Sequence, residues 1–320
     1  MNGPSGFLRI GKPPLQFSLC ALLSASLIAC PIAIPIAAQQ RSSKPVEEEQ
    51  TRMLWNTTFT EQRPASAKAT APSSAAAKGQ PPAAARKPAS GPSADRIGDS
   101  LVGVTIWRLR TSEAGDDPAV HIASPTGGEQ WTPVRVGADT PVKIGQRVRV
   151  SFETARAGYL YVIDREQYAD GTYGAASLIF PTLQTHSGNN QVTAGRLIEV
   201  PALDDNPPYF TMQPSRHDQV AEVLTVMVTP KPLPGVKIGS NPLAVSPDQL
   251  RLWERQWGVQ VQRLEAVGQA GKPYTKAEKE ASLLPNRFLA HEEPLPQTMY
   301  HLDVKPGAPL LFNISLRLAP

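Results

Sequence analysis

The sequence predicts a mainly β protein: an antiparallel β-sandwich with a small helical insertion, preceded by a disordered N-terminal third. Three observations carry this expectation. Beyond about residue 100, short runs rich in Val, Ile, Tyr and Phe recur with Gly, Asp and Asn between them, the pattern of strands punctuated by turns. Only two stretches carry helix-start signals. Residues 64–92 are almost wholly Ala, Pro, Ser, Lys and Gly, with too little apolar surface to offset the entropy of ordering.

Taken in order, Leu101 to Leu109 reads as a first strand, and a Gly-, Asp- and Pro-rich loop leads to Trp131–Val136. In Gln146–Thr154, Val148, Val150 and Phe152 alternate with Arg147, Arg149 and Ser151, which predicts one buried face and one face in water. Ala157-Gly158 turns into Tyr159–Asp164, and Asp170-Gly171 marks a hairpin turn before Ser177–Pro181. Asn189–Gly195 is a turn ahead of Arg196–Pro201, and Tyr209–Met212 is a further short strand. Val220–Thr229 is apolar on both faces and predicts a central strand. Thr298–Val304 and Leu311–Leu318 alternate again and are expected to pair as a C-terminal hairpin over 298–318. Between these, Ser246-Pro247-Asp248-Gln249 is a capping box, with Leu250, Trp253 and Trp257 on one helical face. Thr275–Glu278 is a second capping box, so the insertion spans 246–284. Short strands at regular spacing favour a sandwich.

Before residue 98 the chain reads as an address and a spacer. Arg9 and Lys12 precede an uncharged apolar run from Phe17 to Ala38, the order of a secretory signal over residues 1–38. Pro31 and Pro35 interrupt that run and weaken it as a continuous membrane anchor. Two processing sites compete. Cleavage after Ala38 releases a soluble chain, whereas Leu27-Ile28-Ala29-Cys30 resembles a bacterial lipobox, with cleavage before a lipidated Cys30. Residues 39–97 form a Pro/Ala/Ser-rich spacer, and 98–320 the folded domain. One island in the spacer differs: Glu47 to Phe59 contains Met53, Leu54, Trp55 and Phe59, a short element able to dock on a partner or back on the domain.

Composition excludes several functions. Both cysteines, Cys20 and Cys30, lie in the signal, so the folded part has no disulfide framework, thiolate metal site or cysteine nucleophile. With 32 basic against 28 acidic residues, scattered and not striped, nucleic acid is not an expected partner. The five histidines, His121, His186, His217, His291 and His301, show no ligand spacing, so no metal is expected. Asp164, Glu166, Asp170, Asp204 and Asp205 are candidates for a calcium cluster, but they lack a calcium loop's alternation and closing glutamate. Ser240 and Ser282 have no evident base, and no nucleophile elbow or phosphate loop occurs. No catalytic residue and no cofactor follow. Tyr159 and Tyr161, on one strand face, are candidates for a binding platform or for core, and Trp55 is a third binding candidate.

Gly158-Tyr-Leu-Tyr-Val-Ile-Asp164, Leu178-Ile-Phe-Pro181, Asn189 to Gly195, Pro201 and Glu222-Val-Leu-Thr-Val together resemble the bacterial domain-of-unknown-function family 4384, over roughly 135–232. The resemblance implies an immunoglobulin-like, non-catalytic domain of exported or surface-associated proteins. The segment from Lys231 to Glu293 goes beyond that family's pattern. The resulting expectation is a non-enzymatic envelope protein, in the periplasm or at the outer cell surface. It acts as a binding or scaffold domain toward another envelope protein or surface polymer, with possible membrane attachment through Cys30. The alternatives are a sensor or regulatory module of a secretion or signalling assembly, and a hydrolase with a loop-assembled site.

Overall fold

The computed structural model describes Trp55, Arg63 and residues 100–124, 127–284 and 286–319. The expectations for the signal, for Cys30 and for the spacer lie outside the described residues, except at Trp55 and Arg63. Among the described residues no helix is long and apolar enough to cross a membrane.

Two antiparallel sheets stack as a sandwich. The first is built on β1 (Leu101–Thr111), which pairs along one side with β4 (Arg147–Thr154). On its other side the first half of β1 pairs with β13 (Thr298–Leu302) and the second half with β3 (Gln130–Val136). β2 (Ile122–Ala123) extends β3, and β12 (Val261–Glu265) extends β13. β8 (Leu197–Val200) and β9 (Phe210–Thr211) share the far side of β4. The second sheet runs β11 (Leu243–Val245), β6 (Ala176–Phe180), β5 (Gly158–Tyr168), β10 (Gln219–Thr229) and β14 (Leu310–Arg317). β7 (Gln191–Val192) pairs with the start of β5.

The period-2 rows of the sequence meet between the sheets. Val102, Val104 and Ile106 of β1 with Val148, Val150 and Phe152 of β4 pack against Leu160 and Val162 of β5, Leu224 and Val226 of β10, and Phe312 and Ile314 of β14. β10 is central, flanked by β5 and β14, as its two-faced apolarity predicts. At the end of β5 the Asp170-Gly171 turn forms as expected. Gly171 adopts a positive φ of 81°, and the Asp170 carboxylate accepts from the Thr172 amide.

Helices α1 (Pro247–Trp257) and α2 (Lys276–Leu283) start at the two capping boxes. In α2 the Thr275 hydroxyl accepts from the Glu278 amide while the Glu278 carboxylate accepts from the Thr275 amide. Thr275→Ala is expected to lower stability by about 1 kcal/mol, read as a shifted urea midpoint.

Three expectations are corrected. The insertion over 246–284 is not purely helical: β12 lies inside it and adds an edge strand to the first sheet. Residues 298–318 are not a hairpin. β13 pairs with β1 and β12 in the first sheet, whereas β14 pairs with β10 in the second. Both strands carry an inward row, and the link between them, with Pro306 and Pro309, crosses from one layer to the other; Tyr300 stacks on Phe312 across the core at 4.5 Å. Lastly, the face of β4 expected in water is covered beyond the half-exposed Arg147: Arg149, Ser151 and Glu153 are as buried as its valines.

Candidate functional site

The covered outer face of the first sheet holds three buried arginine–carboxylate pairs. Alternation along β1, β3, β4 and β8 points Thr105, Trp107, Arg135, Arg149, Ser151, Glu153 and Glu199 away from the apolar core. A layer of later chain, from Tyr274 through α2 to Gln297, closes over them, sealed by Leu197, Ala281 and Leu289. Three buried ion pairs result. Arg149 pairs with Glu199 at 2.5 Å and also donates to the Pro208 and Pro201 carbonyls. Arg135 pairs with Glu278 of α2, donates to the Leu295 carbonyl and lies 4.9 Å from the Trp107 ring. Arg63 donates twice to Glu153, at 2.7 and 2.6 Å.

Neutral groups fill the gaps between these pairs. The Tyr274 hydroxyl donates to Glu199 at 2.7 Å, and its ring meets Trp107 edge-on at 4.9 Å. The Trp107 indole donates to the Ser151 hydroxyl. Burial raises the Tyr274 hydroxyl well above its ordinary value, and the Glu199 charge adds to this, so the phenol keeps its proton. Burial also raises Glu278, against the lowering effect of Arg135. Ser282 lies 3.1 Å from the Tyr274 hydroxyl and donates to the Lys279 carbonyl. A phenol held protonated is no base for that serine.

A second polar group sits between the sheets. Asp164 continues the inward row of Leu160 and Val162 on β5, and Glu222 continues the inward row of Leu224 and Val226 on β10. Burial raises Asp164 well above the usual carboxylate range, and the Glu222 charge adds to the effect. Burial pushes Glu222 up to about 7, opposed by a hydrogen bond from Gln219. Burial thus disfavours the charged form of both acids. The acids weighed for calcium therefore part company. Asp164 lies inside a strand, Asp170 closes its own turn, and Asp205 accepts from the Ala202 and His186 amides. Among the described residues, no group of three or more His, Cys, Asp or Glu is placed to hold a metal ion.

The binding candidates are placed as follows. Tyr161 is buried, its hydroxyl accepting from the Leu233 amide at 2.9 Å. It packs with Ile163, Leu178, Met227, Leu250 and Trp253, and Tyr159 lies against the same cluster. Of the two readings weighed for this pair, Tyr161 fits core, covered by α1 and the Leu233 segment, whereas Tyr159 is half-buried at the cluster's edge. Tyr161→Phe leaves that amide without its acceptor and is expected to cost about 1–2 kcal/mol, measured by urea unfolding. Trp253 and Trp257 stack at 6.0 Å above this cluster, as core. Trp55 is also buried, against Leu101, Ala155, Leu264, Leu295 and Met299, so it contacts its own domain and not an open surface.

Two hollows adjoin these groups. One beside Phe180, His186, Asn190 and Arg196 holds about 30 Å³, and one beneath Arg63, Gly103, Glu153 and Glu278 about 10 Å³. Each has room for a water or two, far below the roughly 300 Å³ at which small-molecule sites begin.

No protein-family model, no curated protein and no solved structure matches this chain. The likeness to family 4384 rests on the motifs quoted above.

Arg63, Arg135, Arg149, Glu153, Glu199, Tyr274 and Glu278 were not singled out from sequence. A buried ion-paired face and a solvated face use the same letters at the same period. Asp164 did leave a readable signal, because strand alternation alone puts it in the row of Leu160 and Val162.

Proposed function

We propose that this chain is a non-enzymatic, exported cell-envelope protein whose sandwich domain acts as a binding or scaffold module behind an N-terminal tether. One observation carries the reading: the three arginines that converge on the first sheet's outer face are each closed by a carboxylate of the same chain. The Arg63 and Arg135 pairs fasten covering segments to a sheet, and the Arg149 pair joins β4 to β8 within it. Catalysis requires a positioned group with an open partner position, and these groups are occupied by architecture. The charged start and apolar run of residues 1–38 support export, and the family 4384 motifs support a non-catalytic role.

The test is covalent capture in the host. Photo-crosslinking side chains at the exposed positions Ile144, Leu183 and Leu284 are expected to give a discrete adduct with an envelope protein or polymer at one position and not at the others. Absence of adducts at all three, together with turnover of ester, peptide or glycoside substrates, would contradict the reading. Mass spectrometry of the mature N-terminus distinguishes a lipidated Cys30 from a Gln39 start. The sensor or regulatory alternative is favoured by the docking of Trp55 and Arg63 onto the domain.

A further inference from the structure

Trp55 and Arg63 lie far ahead of the first strand, with 36 residues of sequence between Arg63 and Ser100. Yet both side chains are as buried as the core: Trp55 is 0 % exposed and Arg63 1 %. The site they fill is shaped for them. A Cβ on Gly103 would stand 2.5 Å from the Trp55 ring, so β1 carries a glycine where the indole crosses it. Pro296, Leu101 and Met299 complete the indole slot. Beside it, Glu153 receives the Arg63 guanidinium through two hydrogen bonds, the Ala290 and Pro294 carbonyls accept further N–H groups at 3.3 Å, and the guanidinium lies 5.6 Å from the Trp55 ring.

Charge complementarity selects this occupant. The covered face holds Arg135 against Glu278 and Arg149 against Glu199, so Glu153 is left to Arg63. Without Arg63, that buried carboxylate has no cation among the described residues. A lysine reproduces neither the two-pronged bond nor the stack on the indole.

We propose that the Gly103 slot and the Glu153 carboxylate form a peptide-recognition site for a segment carrying tryptophan and arginine eight residues apart. Trp55 and Arg63 of the chain itself occupy it in cis as an exchangeable plug. The 36 residues of sequence between Arg63 and Ser100 tie the plug to its site at an effective concentration on the order of millimolar, which an external segment of the same chemistry can exceed. On the export reading, the plug also sets reach. Docked, the chain between a lipidated Cys30 and the domain is the 24 residues 31–54; released, it is the 69 residues 31–99, about a threefold longer maximum span.

The experiment uses the full chain with a protease site inserted between Ala83 and Ala84. After cleavage, the N-terminal fragment is expected to co-elute with the domain and to be displaced by a synthetic peptide of residues 47–63. The same peptide carrying Trp55→Ala or Arg63→Ala is expected to compete about 100-fold less well. Loss of the fragment on cleavage with no binding of added peptide overturns the proposal. So does a fragment that a large peptide excess never displaces, or a domain that unfolds once cut, because either makes the segment a permanent core element. A dimer of the uncut chain that the peptide converts to monomer overturns the cis assignment.

Discussion

Arg149→Ala is expected to destabilise the domain by about 3–5 kcal/mol, the cost of leaving a buried carboxylate without its cation. Arg149 and Glu199 are each 1 % exposed along their side chains, and water cannot replace the lost partner. The variant also strips donors from the Pro208 and Pro201 carbonyls. The double variant Arg149→Met with Glu199→Met is expected to be more stable than the single one, because both charges leave together. Urea unfolding of the two variants beside the parent chain measures this. A double variant no more stable than the single would mean that the pair's value lies in its other hydrogen bonds.

Stability is expected to fall as pH rises from about 4.5 to about 7. Glu222 is raised by burial from 4.5 to about 7 in the folded chain. Between those values the folded state holds a proton that the unfolded state has lost. The contribution is therefore complete below the lower value and is lost by the upper one. The span corresponds to about 3 kcal/mol, and Asp164, raised in the same direction, adds to it. Glu222→Gln removes the titration, so it should flatten the slope and raise stability at pH 8. Urea midpoints across this range are the readout, and an unchanged slope in the variant would contradict a buried Glu222 that holds its proton up to about pH 7.

The layers of this fold were legible where hydrophobic period decides them. Val148, Val150 and Phe152 announce an inward row, Val220–Thr229 announces a central strand, and Ser246 and Thr275 announce both helix starts. Partnership was less legible. β13 and β14 are adjacent in sequence and both alternate, but alternation is silent on which sheet receives a strand, and a Pro-flanked link suits a crossing between layers as well as a hairpin. The polar face was hidden for a related reason. Arg149, Ser151 and Glu153 look like a solvated row until a covering layer is known, and that layer comes from residues 274–297 and from Arg63, 90 positions before Glu153. Tyr161 shows the converse: its burial follows from α1, whose apolar face was visible, but not the sheet it would cover.

Charges on the first sheet's outer face fasten distant segments of chain onto it, those carrying Arg63 and Glu278 among them. Hydrogen exchange of the full chain beside its Arg63→Ala variant tests this most directly. Amides of β4 and of residues 295–299 should exchange faster in the variant, while those of β10 in the other sheet stay as they were. Identical exchange throughout would show that Arg63 fastens nothing and would contradict the account.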